Sequence, residues 1–247
     1  MADNRFGEYI RRRREDAHLT RAELAKRASV SVSLIEKIEL GTRPTTLPTL
    51  QVLFDQLDVP PMYRKYILGL SLPGVFGLSN TDHLVPTEDD LADLNSLPHP
   101  ASLYALPTFT IVAANAAHQR VFPGSSPGTN FVEWMFLNPA ARTVIVGWRQ
   151  EAQRLLHSVR MLTPNIATDV QIAAAVRRCQ EAPEWDELWN SPQPHRTSEN
   201  IHILVRSPGS HRTEELSVRI YSPEFPNRPW WMCRLIPRPG SHRVPRH

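Results

Sequence analysis

The stretch LTRAELAKRASVSVSLIEKIELGTRP, Leu19 to Pro44, decides the fold of the first third of the chain. Thr20-Arg21-Ala22-Glu23 has the spacing of a capping box, in which the Thr hydroxyl and the Glu carboxylate each satisfy an orphan backbone N–H, so a helix starts there. Leu24, Ala25 and Ala28 supply its buried side, and Ser29-Val30-Ser31 makes a short turn. Ile35 and Ile38 mark the buried stripe of the next helix, about Ser31 to Leu40, which Gly41 ends as a C-cap.

Working outward, Phe6, Tyr9 and Ile10 form an apolar stripe at helical spacing, followed by the basic run Arg11 to Arg14. That run reads equally as a solvated helix face or as a phosphate clamp. Beyond Pro44, Thr46 is an expected N-cap, Pro48 is tolerated in the first turn, and Leu50, Leu53, Phe54 and Leu57 repeat on one face. A fifth helix after Pro60-Pro61 holds Met62, Tyr66, Ile67 and Leu70.

From Ser71 to Pro86 the run SLPGVFGLSNTDHLVP sustains no periodicity and reads as a linker. The expected organisation is therefore multi-domain: an all-α five-helix domain over 1–70, a linker over 71–86, an α+β domain over 87–238, and a disordered tail over 239–247. In the second domain strands are expected at Thr108 to Ala113, Ile201 to Arg206, Leu216 to Tyr221 and Trp230 to Ile236, forming a small antiparallel sheet. Helices are expected at 116–122, 130–136, 139–161, 168–181 and 184–190. The longest carries Val144, Trp148, Ala152, Leu155, Leu156 and Val159 down one face.

The 247 residues and 41% hydrophobic content suffice to bury a proper core. Residues 1–75 hold 12 Lys and Arg against 9 Asp and Glu, whereas the remainder is balanced, so the whole formal +3 lies in the first domain. That favours a polyanionic partner for it. Basic residues are almost all Arg, with Lys only at 26, 37 and 65, which points to a GC-rich genome. No apolar stretch reaches the roughly 18 residues of a membrane span, and no export signal follows Met1. Cys179 and Cys233 lack CxxC spacing and read as small buried hydrophobes of a reduced cytoplasm. The ten His are scattered without metal-ligand spacing, and GxSxG, HExxH, GxxxxGK[ST] and GxGxxG are absent, so neither a metal, a cofactor nor a catalytic residue is expected.

Two helices joined by a three- or four-residue turn are the minimum device for holding a rigid rod in the DNA major groove, the first bracing the second. From about Phe6 to Leu57 the chain resembles the Cro/phage-repressor-like, XRE-type regulators. Leu19-Thr20, Leu24-Ala25, Val30-Ser31, Ile35, Ile38-Glu39 and Gly41-x-Arg43 carry the likeness. The resemblance implies double-stranded operator DNA as partner and a homodimer on two half-sites. It places Thr20, Arg21 and Arg43 at the backbone and Ser31, Val32, Ser33, Leu34 and Lys37 on the reading helix. Val32 and Leu34 offer only methyl contacts, suited to thymine, while Ser33 both donates and accepts. Glu36 repels phosphate and is expected to pair with Lys37 or a neighbour. Arg21 departs from the usual Gln of this family, Val32 from its Gln or Thr, and Ser29 from its turn Gly, the last at some cost in backbone strain.

The second domain is rich in aromatic residues: Tyr104, Phe109, Phe131, Trp134, Phe136, Trp148, Trp185, Trp189 and Trp230-Trp231. Such groups either close a core or line an apolar pocket. The order NFVEWMFLNPAARTVIVGWRQEA, LLHSVRMLTPN, EWDELW and then strands resembles the ligand-binding domain of the MmyB-like transcription regulators, over roughly Pro107 to Arg238. Asn115, Asn130, Phe136, Pro139, Arg142, Trp148, Arg160, Trp185 and Trp189 carry the likeness most specifically. It implies a PAS-like fold and a small apolar effector, fatty-acid-like in some members, in contact with Phe109, Trp134, Phe136, Trp148, Trp185 and Trp189. Arg142 and Arg160 are candidates for pairing a ligand carboxylate, or alternatively for structural ion pairs. The segment from Asn190 to His211 lacks the Lys-rich, His-Pro-containing stretch of that family. A domain serving only dimerisation or a protein partner is the alternative.

Overall fold

The computed structural model describes residues 4–71, 85–163, 170–191, 201–207, 212–223 and 228–238. Most of the expected linker, the C-terminal tail, His195, His211 and His242 lie outside them. The chain divides into two compact units, residues 1–80 with 160–170, and residues 81–159 with 171–247.

The N-terminal unit contains five helices: α1 (Arg5–Asp16), α2 (Arg21–Arg27), α3 (Val32–Glu39), α4 (Leu47–Gln56) and α5 (Pro61–Ser71). Their starts follow from capping chemistry. Thr20 and Glu23 form the full capping box on α2, and the hydroxyls of Ser31 and Thr46 cap α3 and α4. Their ends share one device. After α1, α2, α3 and α4 the chain turns through a left-handed residue, respectively His18, Ser29, Gly41 and Asp58. Each of these N–H groups, and the next, returns to a carbonyl of the last turn, as Ser29 N–H to Lys26 and Val30 N–H to Ala25 do. Only Gly41 adopts that conformation without steric cost, so Ser29 bears the strain expected of it.

The core of this unit includes Tyr9, Ile10, Leu24, Ile35, Ile38, Leu50, Leu53 and Phe54. Arg13 and Arg14 are buried as well, and are therefore neither a solvated face nor an exposed phosphate clamp. Arg13 donates to the Leu57 carbonyl at 3.1 Å, and Arg14 pairs with Glu39. Residues 6, 9, 10, 13 and 14 share one face of a 3.6-period helix, so these arginines continue the apolar stripe. At Gly7, α1 passes so close to α3 that an added Cβ would lie 2.6 Å from the carbonyls of Ile38 and Glu39.

The second unit is an α+β domain around a six-stranded antiparallel sheet of order β2-β1-β6-β5-β4-β3. Its strands are β1 (Ala101–Ala105), β2 (Thr110–Ala114), β3 (Ile145–Val146), β4 (Ile201–Arg206), β5 (Thr213–Tyr221) and β6 (Trp230–Pro237). Its helices are α6 (Glu88–Ser96), α7 (Ala116–Val121), α8 (Phe131–Leu137), α9 (Pro139–Val144), α10 (Trp148–Leu162), α11 (Val170–Cys179) and α12 (Trp185–Asn190), except that the last turn of α10 from Arg160 and the first residue of α11, Val170, group with the first unit.

Two differences from the expected elements have clear causes. The helix expected over 139–161 is broken: the β-branched run Thr143-Val144-Ile145-Val146 disfavours helix, Ile145 and Val146 pair with Val205 and Leu204, and Gly147 at φ +72 turns the chain into α10. The sheet also gains β1, which pairs with both β2 and β6. Side chains alternate along the strands, so the sheet carries two cores. Leu216, Leu235 and Ile203 face the large cluster formed with α8 to α12, whereas Leu103, Ala113 and Trp230 face a smaller one closed by Leu94 of α6.

Candidate functional site

In the N-terminal unit α3 is the rod available to a duplex. Ile35, Ile38 and Glu39 form its buried side, while Ser33, Glu36 and Lys37 are exposed, Val32 is 47% exposed and Leu34 is half-buried. Ser31 Oγ accepts the Leu34 N–H at 3.2 Å, which leaves the hydroxyl proton to be donated elsewhere. Thr20 is exposed, but its hydroxyl accepts from the Glu23 N–H and donates to the Glu23 carboxylate; the Thr20 backbone N–H, and after it that hydroxyl, hold Glu23 below the ordinary carboxylate range. Arg43 is exposed on the loop between α3 and α4. No bond joins Glu36 to Lys37 among the hydrogen bonds and ion pairs of the described residues.

Arg21 occupies the first position of α2 and is not simply a free cation. Its Nε–H donates to Glu39 Oε2 at 2.8 Å. The Glu39 carboxylate is 1% exposed and also receives Arg14 Nε at 2.6 Å and Arg14 Nη2 at 3.2 Å. From the sequence Glu39 was named only as part of the family likeness and was given no role. Its signal was its place on the buried stripe beside Ile35 and Ile38, where an acid must find cationic partners.

In the second unit the six aromatic residues named from the sequence come together in one cluster. Phe136 stands edge-on to Trp148 and to Trp185 with centroids 5.5 and 4.9 Å away, and Trp189 stacks on Trp185 at 5.2 Å. Trp134 stacks on Phe131 at 5.3 Å, and Phe109, at φ +57, packs at the margin. Two indoles are anchored to backbone: Trp134 Nε1 donates to Pro123 O and Trp148 Nε1 to Met135 O.

Arg142 projects from α9 into this cluster with its guanidinium 4.3 Å from the Trp148 ring centroid. It donates to Phe136 O at 2.8 Å and to Glu184 Oε2 at 2.9 Å. Desolvation of Glu184 opposes ionisation, yet the Arg142 hydrogen bond holds its carboxyl below the ordinary value. Arg142 thus makes the structural contacts, leaving its cation partly exposed. Arg160 sits half-buried in the last turn of α10, already engaged by other residues, and does not fall within the compact unit that contains the cluster.

The polar contacts of the domain are largely structural. Asn115 is 2% exposed; its Oδ1 accepts the N–H groups of Ala101 and His118, and its Nδ2 donates to the carbonyls of Leu94, Leu97 and His99. Asn130 caps α8 and donates to Thr108 O. His118 is buried, which pushes its pKa down to about 4. Ser125 Oγ gives its proton to Phe122 O at 2.6 Å, so the His118 Nε2 that lies 3.0 Å from it carries the imidazole proton. Burial pushes the thiols of Cys179 and Cys233 up to about 12, where they are poor nucleophiles. Among the described residues no three His, Cys, Asp or Glu cluster as a metal site, and no helix is long and apolar enough to cross a membrane.

With this geometry in place, two family models match the chain. One, described as the MmyB-like transcription regulator ligand binding domain, matches residues 91–242. The other, described as a helix-turn-helix domain, matches residues 5–64. No curated protein matches the chain.

Proposed function

The chain belongs to the MmyB-like transcription regulators, and from that premise we propose that it binds operator DNA as a cytoplasmic homodimer and senses a small apolar molecule, fatty-acid-like in character. The observation that carries the reading is the pairing of a helix-turn-helix whose α3 exposes Val32, Ser33 and Lys37 with a domain that gathers Phe136, Trp148, Trp185 and Trp189 in one cluster, with the Arg142 guanidinium over Trp148.

Arg21 and Arg43 grip phosphate, which positions the protein without reading sequence, and the hydroxyls of Thr20 and Ser31 border the same strand. Ser33 and Lys37 reach base edges, and Val32 with Leu34 meets thymine methyl groups. Two such units bind half-sites roughly 34 Å apart, one turn of the duplex. The effector lies among Phe109, Trp134, Phe136, Trp148, Trp185 and Trp189. A carboxylate on it competes with Glu184 for Arg142. The effector switches binding only through different affinity for DNA-competent and incompetent dimers. No catalytic role is assigned.

The anchored indoles of Trp134 and Trp148 and the satisfied Arg142 support a second reading, in which the domain is a closed core serving dimerisation or a protein partner. Mass spectrometry of an organic extract of the purified protein separates the two. A small apolar species supports the sensor, and an empty extract supports the closed core.

A further inference from the structure

We infer that Glu39 is a positioning residue for DNA binding: its buried carboxylate holds the Arg21 guanidinium in one orientation and ties it to the reading helix α3. The inference rests on the proposal that Arg21 meets a phosphate, and adds what aims it. Three N–H donors from two arginines converge on this carboxylate, so the group of three side chains carries one net positive charge. Arg14 is 10% exposed and spends its remaining terminal nitrogen on the Leu19 carbonyl at 2.9 Å. The excess charge therefore faces solvent at Arg21, which is 40% exposed.

Arg21 gives Glu39 only its Nε–H. The N–H groups of its two terminal nitrogens have no acceptor among the described residues, and they form the planar fork that matches two phosphate oxygens. A long exposed side chain ordinarily loses rotamer freedom when it binds. Here Nε is pinned on folding, so less is lost on the DNA. The pin is rigid because the Glu39 end of α3 is itself fixed to α1, through Arg14, through Asn4 Nδ2 on the Glu39 carbonyl at 3.0 Å, and by the close passage at Gly7. Phosphate grip and base reading thereby share a single register. A lysine at position 21 has one compact ammonium, which the buried carboxylate draws inward and which offers no second planar pair.

The test uses the full-length protein and a mixed-sequence duplex of about 30 base pairs, long enough for two half-sites one turn apart. Fluorescence anisotropy across a salt series is read beside thermal melts of Arg21→Ala, Arg21→Lys and Glu39→Gln. Position 21 is half-exposed, so its two variants are expected to stay folded. Arg21→Ala should weaken binding about tenfold, the share of one charge-assisted hydrogen bond, and lower the salt slope by about one charge. Arg21→Lys should weaken it nearly as far despite its unchanged charge. Glu39→Gln, where folded, should also bind more weakly even though it removes a negative charge from the vicinity of DNA. If Arg21→Lys binds like wild type while Arg21→Ala is weak, or if Glu39→Gln binds more tightly, the positioning role is overturned and the phosphate contact stands. An unchanged Arg21→Ala overturns both.

Discussion

Asn115 gives the sharpest stability prediction, because one buried amide joins three elements. Its Oδ1 accepts the Ala101 N–H at 3.1 Å, which starts β1, and the His118 N–H at 2.9 Å, which caps α7. Its Nδ2 reaches the carbonyls of Leu97 and His99 at 3.1 and 2.9 Å, just past the end of α6. Asn115→Ala removes all of these at once. Loss of the cap costs about 1 kcal/mol. Stranding the Ala101 N–H costs about 1–3 kcal/mol more, and the carbonyls add a smaller share because each has a second lone pair. A total of about 3–4 kcal/mol lowers the melting point of a domain this size by roughly 10 °C. Tryptophan fluorescence is the natural assay, since all six Trp lie beyond residue 130 and report the second domain alone. Asn115→Asp, measured as the protonated acid, keeps both acceptances and offers one O–H in place of the two amide N–H donors, so it should fall between wild type and Ala in its melting point. A melting point for Asn115→Ala within about 2 °C of wild type would refute the reasoning.

Further outcomes are expected elsewhere. His118 is neutral and buried with its pKa pushed down to about 4, below the unfolded value near 6.5, so the unfolded chain binds more protons in that window; stability should fall as pH drops from about 6.5 to about 4, by ~3 kcal/mol in all. His118→Gln, which can still donate to Ser125, should flatten that part of a melting-point-against-pH curve, and an unaltered slope contradicts the assignment. Ser29→Gly relieves a left-handed serine and should stabilise the N-terminal domain by about 0.5–1 kcal/mol in urea unfolding followed by circular dichroism. Ser33→Ala should change which duplexes are selected from a randomised library rather than lower affinity for all of them; uniform weakening would place the reading face elsewhere on α3.

Much of the N-terminal domain was legible because its signals are short-range. The Thr20 and Glu23 box, the Thr46 cap and the turn at Gly41 each act within a few residues, and each is realised as written in the sequence, while Ser31, read as part of a turn, caps α3. What escaped was the meaning of charge on a buried stripe. Arg13 and Arg14 read as a solvated face or a phosphate clamp and Glu39 was given no role, yet their spacing from Phe6, Tyr9, Ile10, Ile35 and Ile38 puts them inside, where Arg14 pairs with Glu39 and Arg13 donates to the Leu57 carbonyl. No local pattern announces a partner 25 residues away.

In the second domain the six aromatic side chains expected around an effector could be named from sequence, and they do converge, whereas Trp230 packs in the smaller core. Their packing partners could not, because the sheet that gathers them is assembled from strands far apart in the chain. β1 was missed because ASLYA is short and shows no clear alternation, its identity as a strand depending on β6 more than a hundred residues later. β3 was hidden inside an apolar run that has helical periodicity on both sides, and Gly147 was the one sign of the break. The double use of Arg142, on Glu184 and over Trp148, likewise needed the fold to bring α9, α10 and the start of α12 together.

The central claim is that occupancy of the second domain alters DNA binding by the first. The most direct test is the affinity of full-length protein for a duplex selected from a randomised library, measured with the co-purifying apolar species retained and again after it has been stripped. The account predicts affinities that differ by at least about fivefold, the lower end of ordinary allosteric coupling. Identical affinities in the two states would contradict it.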